Sequence, residues 1–231
     1  MLPLKHFLNP LRICCQAYWS GWRDTASVII RYYRTHPFFA SFCWLKLAYM
    51  IDTPWLVARR YQNKTDPYAY GETPLMSLKT IMEAANLTTE DHVAELGSGS
   101  GYTALWLGSI ARCKVTAIEK IPLFCWRLQR TVKRFRLESV HVHCKDYLSA
   151  DLSGVTLVYA CACNLSNDRI QQLAHKLITL PAGTRVITVS YPLHALHPHK
   201  IFTAFRQLPI QFHWGTCQVF IQTITEIPAK Q

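Results

Sequence analysis

The chain has 231 residues, of which 50 % are hydrophobic and 12 % aromatic, a composition typical of a globular protein with one substantial domain and an accessory segment. A formal net charge of +11 at pH 7 favours an acidic partner, such as nucleic acid, an anionic membrane face or an acidic protein surface, without identifying one. Nine cysteines without any CxxC pair argue against a zinc knuckle or a disulfide framework and indicate a reducing compartment, so we expect a cytoplasmic protein.

The N-terminal segment shows neither a secretory signal nor a membrane span. The opening residues, MLPLKHFLNPLRICC, contain two prolines and no clean apolar core, so we expect an unprocessed chain. The most apolar run, residues 37–57, is interrupted by Lys46, Asp52 and Pro54 and does not reach the length of a membrane-spanning helix.

Residues 1–68 are rich in aromatic and basic side chains and lack the alternation of strands. Four apolar residues recur at helical spacing: Phe38, Phe42, Leu45 and Tyr49. This spacing predicts a helical cap packed on the main domain. An amphipathic segment that touches a membrane surface or grips the substrate remains an alternative. The polar, turn-rich stretch 61–74 predicts the boundary between this cap and a second domain, residues 69–231.

From residue 75 onward, predicted helices and strands alternate. The predicted helices cover residues 75–85, 102–111, 121–136 and 168–180, and the predicted strands cover residues 92–96, 115–119, 140–144, 156–161 and 185–191. Two further segments, QLPIQFHW and TCQVFIQTI, flank Gly215 and predict an antiparallel hairpin. The expected fold is therefore α/β: a Rossmann-like, mostly parallel seven-strand sheet with helices on both faces, a C-terminal hairpin and an N-terminal helical cap.

The stretch AELGSGSGY places three glycines in five positions after the first strand. The spacing of Gly97, Gly99 and Gly101 differs from the G-x-G-x-x-G of dinucleotide folds, because Tyr102 stands where the third glycine would be. Glu95, just before the loop, would repel a phosphate. We therefore expect a ligand that is neutral or cationic at this point, and S-adenosylmethionine meets that requirement.

Two more acids end the next two strands. Glu119 follows Gly99 by one helix and one strand, where a carboxylate can accept hydrogen bonds from the cofactor's ribose. Asp146 can accept from the adenine amine, with Tyr147 stacking nearby. Acids at three successive strand ends beside a glycine turn predict cofactor binding at this edge of the sheet.

Residues 69–191 resemble the class I, seven-strand S-adenosylmethionine-dependent methyltransferases, with ELGSGSG as their first motif and Glu119 and Asp146 at the two acidic positions that follow. YGETP, TLVYACACNLSND and LPAGTRVITVSYPL are similar to the non-SET histone lysine methyltransferase-like group. The resemblance implies a methyltransferase acting on a protein, with lysine as the acceptor, and a loop bearing Tyr70, Glu72 and Thr73 that closes over the methionine moiety. The alternatives are a small-molecule or lipid-like acceptor and a non-catalytic module that only binds S-adenosylmethionine.

The segment YGET (residues 70–73, the YGET segment) is predicted to close over the methyl donor and exclude water. In the alternative interpretation it is a linker, with Glu72 in solvent or Thr73 capping the next helix. The catalytic candidates are Glu72, Tyr70 and Tyr191. The complete set of predicted cofactor-binding residues is Tyr70, Glu72, Thr73, Glu95, Gly97, Ser98, Gly99, Gly101, Tyr102, Glu119, Lys120, Asp146, Tyr147 and Cys161.

Other features favour simpler interpretations. The missing N/D-P-P-aromatic motif after the fourth strand argues against methylation of bases or amides, and no nucleic-acid module is recognisable. The basic helix 121–136 is interpreted as a solvated face, with docking to nucleic acid or anionic lipid as the alternative. Cys161 and Cys163 are interpreted as semi-buried thiols and the histidines at 194, 197 and 199 as loop residues, so no metal site is expected.

Overall fold

The computed structural model of the chain describes residues 26–61, 70–161, 165–193 and 202–225. The helices in these ranges are α1 (Pro37–Ala48), α2 (Pro54–Arg60), α3 (Leu75–Ala84), α4 (Tyr102–Ser109), α5 (Pro122–Phe135) and α6 (Asn167–Leu177). The strands are β1 (His92–Leu96), β2 (Lys114–Glu119), β3 (Val140–Cys144), β4 (Leu157–Ala160), β5 (Arg185–Val189), β6 (Phe202–Phe212) and β7 (Gly215–Ile224). A π-helical turn, Ile29–Tyr33, precedes α1, and a 3-10 turn, Tyr147–Ser149, follows β3.

The strands form one sheet in the order β3-β2-β1-β4-β5-β7-β6. The first five are parallel, whereas β7 runs antiparallel to both β5 and β6. The predicted fold, a mostly parallel seven-strand sheet with a C-terminal hairpin, is confirmed. The strand order reverses between β1 and β4, and in open α/β sheets ligands bind at such a point, outside the carboxyl ends of the strands.

The sheet separates two apolar clusters, and side chains of the central strands alternate between them. On β4, Leu157 and Tyr159 belong to the first cluster and Val158 and Ala160 to the second. Helices α1–α5 contribute to the first cluster, and α6 covers the second. The central strands β1 and β4 are buried on both faces because helices or connecting segments cover both.

The predicted helical spacing in the cap is confirmed over α1. The side chains of Phe38, Phe42, Leu45 and Tyr49 are all buried. The ring of Phe42 lies 5.0 Å from that of Tyr102 at the start of α4, and Trp106 Nε1 donates a hydrogen bond to the Tyr33 hydroxyl. The described part of the cap therefore shares one core with the sheet.

Several element ends differ from the sequence-based expectation by one to three residues, and for two of them the backbone gives the reason. Strand β5 was expected to run to residue 191 but ends at Val189, since Ser190 has a φ of +72°, which no extended strand accommodates. Helix α5 ends at Phe135, because Arg136 adopts a left-handed φ of +50°.

Several expectations fall outside the described residues: the boundary between positions 68 and 69, Cys163, and the histidines at 194, 197 and 199. The division into two domains stays a prediction. None of the helices in the described ranges has both the length and the apolar character needed to cross a membrane.

Candidate functional site

The glycine loop between β1 and α4 uses backbone conformations that side chains disfavour. Gly97, Gly99 and Gly101 have φ values of +79°, +51° and +90°. A Cβ on Gly99 would lie 3.1 Å from the ring of Tyr70, whereas a Cβ on Gly97 would meet no atom within 4 Å. The loop is therefore packed on the Tyr70 side and open at Gly97, which leaves room for a ligand to approach the backbone.

Glu95, on β1, is a buried carboxylic acid beside this loop, with 4 % of its surface exposed. Burial, with a further contribution from the charge of Glu119, raises the pKa of Glu95 to about 8, although hydrogen bonding to Thr103 and Ala104 opposes the shift. Its Oε2 atom accepts no hydrogen bond from any residue in the described part of the chain. An unsatisfied buried acceptor fits a ligand that brings a hydrogen-bond donor or a positive charge.

Glu119, at the end of β2, is held by the backbone around it. Its Oε2 accepts from Gly99 N and its Oε1 from Lys120 N and Ile121 N, each at 2.8 Å. Burial raises the pKa of Glu119, and these three N–H groups oppose the rise by stabilising the carboxylate. The carboxylate therefore ties the glycine loop to the end of β2, in the place where a ribose acceptor is predicted.

The YGET segment lies over the glycine loop and is bound to it. Glu72 Oε1 accepts hydrogen bonds from the hydroxyls of Tyr70 and Ser100, both at 2.7 Å, and Ser100 N donates to Tyr70 Oη at 3.2 Å. Glu72 Oε2 lies 3.6 Å from the ammonium group of Lys46 on α1. Glu72 therefore links the segment to both the loop and the cap.

The linker interpretation of this segment does not match its contacts. Thr73 is buried and its hydroxyl lies 2.6 Å from that of Tyr159 on β4. No side chain caps the N-terminus of α3, whose N-cap residue is Pro74. Thr73 thus faces the sheet rather than capping the helix, and Glu72 is engaged rather than solvated.

Asp146 is placed differently from the expectation. Its Oδ1 accepts from Leu148 N at 2.9 Å, and its Oδ2 pairs with Arg169 on α6 at 2.6 Å. Asp146 does not line the cavity, whereas Tyr147 and Arg169 do, with the guanidinium 5.1 Å from the ring centroid. Asp146 therefore orients Arg169, and its contact with adenine stays a prediction.

These elements enclose a cavity of about 470 Å³ at the carboxyl ends of β1, β2 and β4. Twelve of the predicted site residues line it: Tyr70, Glu72, Thr73, Glu95, Gly97, Ser98, Gly99, Tyr102, Glu119, Lys120, Tyr147 and Cys161. Gly101 is instead the N-cap residue of α4, where a Cβ would lie 2.6 Å from the Leu128 side chain. Tyr191 is the exception among the catalytic candidates: it follows the turn at Ser190, packs against the second apolar cluster and does not line the cavity.

Lys46, Trp214, Lys145 and Arg169 are among the residues of the site that sequence reasoning missed. Lys46 reaches Glu72 from the cap, while Trp214 of the hairpin turn, Lys145 and Arg169 line the cavity. The ring of Trp214 lies against Gly71, where a Cβ would come within 2.4 Å of it. A lone charge in an apolar helix was a signal for Lys46, but the sequence shows no comparable signal for Trp214.

The residues present fit S-adenosylmethionine. The cavity is of the size that holds ligands of this kind, the buried Oε2 atom of Glu95 accepts no hydrogen bond within the described ranges, and the open side of Gly97 admits close approach. No group of three or more His, Cys, Asp or Glu side chains in the described ranges is arranged to hold a metal ion.

The sheet order and the glycine loop with its acids define a class I S-adenosylmethionine-dependent methyltransferase. Residues 56–183 match the sequence family described as protein-L-isoaspartate(D-aspartate) O-methyltransferase (PCMT). This match spans more than half of the chain, and the chain belongs to that family.

Relatives and solved structures agree with this class. The chain is 27 % identical over 167 residues to a protein-L-isoaspartate O-methyltransferase of Proteus mirabilis, covering 69 % of this chain and 74 % of that enzyme. The match to an enzyme of the same name from Pectobacterium atrosepticum, 34 % identical, is shorter and spans 36 % of this chain and 40 % of the relative. An RNA methyltransferase from Salinibacter ruber, solved with S-adenosyl-L-homocysteine, shares the fold with a TM-score of 0.57 at 23 % identity, over 69 % of this chain and 97 % of that one.

These comparisons correct one expectation. They do not support the predicted nearness to the non-SET histone lysine methyltransferase-like group. The motifs that suggested that group are short. The glycine loop and the acidic residues that follow it resemble the whole class of class I methyltransferases rather than one group within it. The longer match over residues 56–183 distinguishes the family, which short motifs did not.

Proposed function

We propose that this methyltransferase transfers the methyl group to a carboxylate oxygen of a protein substrate, with an isoaspartyl residue as the first candidate acceptor. The family and the relatives named above support an acceptor of this kind. The observation that carries the proposal is the pair of hydroxyl groups, Thr73 and Tyr159, in the cavity wall.

The hydroxyl pair suits an acidic acceptor. Both side chains are buried, and they come from two elements that line the cavity, the YGET segment and β4. A hydroxyl can both donate and accept hydrogen bonds, so the pair is of the kind that can donate to the oxygens of a carboxylate. When bound, S-adenosylmethionine supplies an electrophilic methyl group, and the residues of the chain position the acceptor oxygen and exclude water.

A carboxylate acceptor, unlike lysine, does not need a base in the site to remove a proton before methyl transfer. A carboxylate is ionised at neutral pH and can attack directly, whereas a lysine ammonium must first lose a proton. The described acids that line the cavity are Glu72, Glu95 and Glu119. Glu72 is paired with Lys46, and Glu119 accepts three backbone hydrogen bonds. Glu95, whose pKa is raised to about 8, holds its own proton at neutral pH, so none of the three is well placed as a base for lysine.

Protein lysine remains the second candidate because aromatic rings line the cavity. Tyr70, Tyr102 and Tyr159 provide an environment of low polarity, which lowers the pKa of an amine and favours its neutral form. The two candidates differ in the bond that they form, an ester or an amine, and this difference can be measured.

The test uses three peptides of one sequence that differ at a single position: isoaspartate, aspartate or lysine. Each is incubated with the full chain and S-adenosylmethionine labelled in the methyl group. We expect label in the isoaspartyl peptide, released as methanol by mild base, and a Glu119→Ala variant serves as the cofactor-site control. Base-stable label in the lysine peptide would contradict the carboxylate proposal, and label found only in the organic-soluble fraction of a cell extract would favour a small-molecule acceptor.

A further inference from the structure

The two charges that interrupt the apolar run 37–57 both face the interior of the protein. Lys46 is the single charged residue of α1, its side chain is 15 % exposed, and its ammonium lies 3.9 Å from the ring centroid of Tyr102. Asp52, in the turn between α1 and α2, is 18 % exposed and pairs with Arg60 and Arg127. The outward surface of this helix–turn–helix therefore carries neither of these charges.

Bulky apolar side chains occupy that outward surface. We call them the apolar edge: Leu47, Met50, Ile51, Trp55 and Leu56, with exposed fractions of 60, 64, 95, 42 and 37 %. All five lie within residues 47–56, around one turn. Single exposed apolar residues are ordinary, but such a concentration is typical of a surface that contacts a partner.

Two arginine–tryptophan pairs involve the same helix–turn–helix. Arg59 stacks on Trp55 at 5.1 Å. Arg134 of α5 stacks on Trp44 of α1 at 4.4 Å, which places the basic helix beside the cap. Helix α5 contains no acidic residue, and Asp52 is the one acid within residues 26–61. The exposed apolar side chains therefore share this helix–turn–helix with Arg59, and α1 also contacts Arg134 of the basic helix through Trp44.

We propose that the helix–turn–helix of α1 and α2 docks on an anionic phospholipid bilayer. The apolar edge enters the boundary between headgroups and acyl chains, and the arginines contact lipid phosphates. Tryptophan is enriched at this depth because its ring is apolar and its N–H is polar. This inference concerns where the enzyme binds and does not depend on the proposed methyl acceptor.

A bilayer suits this surface better than nucleic acid does. Basic and aromatic residues serve either partner, but apolar side chains as exposed as Ile51 and Met50 are stabilised by an apolar environment, which a bilayer offers and a charged nucleic-acid backbone does not. The mode of contact is peripheral, because α1 has 12 residues and a length of about 18 Å at 1.5 Å per residue, compared with about 30 Å for the hydrocarbon core.

The test is flotation of the full chain with phosphatidylcholine vesicles, with or without phosphatidylglycerol. We expect binding to the anionic vesicles. Met50→Ser/Ile51→Ser should reduce the partition coefficient about tenfold or more, because two apolar side chains no longer enter the bilayer. Arg59→Gln/Arg134→Gln should reduce it about tenfold on anionic vesicles only. The matched controls are Met76→Ser, an exposed methionine of α3, and Lys114→Gln, an exposed lysine of β2, and both should float like the parent chain.

Each result decides the proposal. It is overturned if the parent chain does not float with anionic vesicles, or if Met50→Ser/Ile51→Ser floats as well as Met76→Ser. Binding to single-stranded RNA that the arginine variant weakens, without any flotation, would reassign the surface to nucleic acid. Circular dichroism and S-adenosylmethionine binding of each variant show whether it is folded, so a loss of flotation is not mistaken for unfolding.

Discussion

Removing the Glu72 carboxylate should open the YGET segment and weaken cofactor binding. In Glu72→Ala, the hydroxyls of Tyr70 and Ser100 lose their common acceptor and Lys46 loses its ion pair with Glu72. Tyr70 would keep its contact with Ser100 N, at 3.2 Å. The segment would then be held mainly by the Thr73–Tyr159 contact and by Trp214 against Gly71.

The size of this effect follows from the contacts. A hydrogen bond to a charged group contributes about 1.5–3 kcal/mol, and a partly exposed ion pair adds about 0.5 kcal/mol. The Glu72 side chain is 27 % exposed, so water replaces part of the lost hydrogen bonding. For the contacts of Glu72 with Tyr70, Ser100 and Lys46 together we take a loss of about 2 kcal/mol. If closure and cofactor binding are coupled, affinity for S-adenosylmethionine falls about 30-fold.

Calorimetric titration with S-adenosylmethionine measures this loss without an acceptor, so its outcome does not depend on the substrate proposal. Glu83→Ala is the matched control, because it removes an exposed carboxylate that pairs with Lys79 on α3, outside the cavity. Its affinity should equal that of the parent chain. An affinity of Glu72→Ala within about twofold of the parent would refute the reasoning, since Glu72 would then hold neither the segment nor the cofactor.

Three more changes test the site. Glu119→Ala should weaken cofactor binding by about 1.5–3 kcal/mol in the same titration, through loss of hydrogen bonds to a charged acceptor, and unchanged affinity would remove the ribose assignment. The pKa of Glu95 is raised from 4.5 to about 8, so the folded protein binds this proton more tightly than the unfolded chain does. The resulting contribution to the free energy of unfolding is complete below about pH 4.5 and is lost as the pH rises through about 8. Denaturant unfolding should therefore show stability declining over this interval in the parent chain and a flatter profile in Glu95→Gln, and identical profiles would contradict the assignment. Tyr159→Phe should lower kcat for a carboxylate acceptor about tenfold, the value of one hydrogen bond, with cofactor affinity unchanged; an unchanged kcat would exclude the hydroxyl pair from acceptor binding.

Local sequence patterns predicted much of the fold and the residues at the centre of the site. Strands β1 and β3 have the bounds that their apolar runs predicted, and the glycine spacing located the loop at the end of β1. These features are local in the chain: a strand needs a short apolar run, and a turn with positive φ needs glycine. The acids at the strand ends could be placed because parallel strands finish at one edge of a sheet.

The parts that could not be predicted depend on contacts between distant residues. Nothing near Asp146 indicates that Arg169 of α6 would take its carboxylate, and nothing near Gly71 indicates a tryptophan from the hairpin turn. Tyr191 was expected at a strand end, but the strand stops before Ser190, whose backbone is left-handed. Because Ser190 is not a glycine, the sequence pattern did not indicate this turn. Periodicity reports which face of an element is buried, not which residue covers it.

The position of Trp214 has a consequence for biosynthesis. This ring lies against Gly71 and lines the cavity, and Ser77 of α3 donates a hydrogen bond to Gln211 O at the end of β6. Strand β7 must also pair with β5 before the turn that carries Trp214 is in place. While a ribosome is still synthesising β6, the emerging polypeptide already contains the glycine loop and the acidic residues but lacks the Trp214 wall of the cavity. We therefore expect the protein to acquire affinity for the cofactor only after β7 has left the exit tunnel.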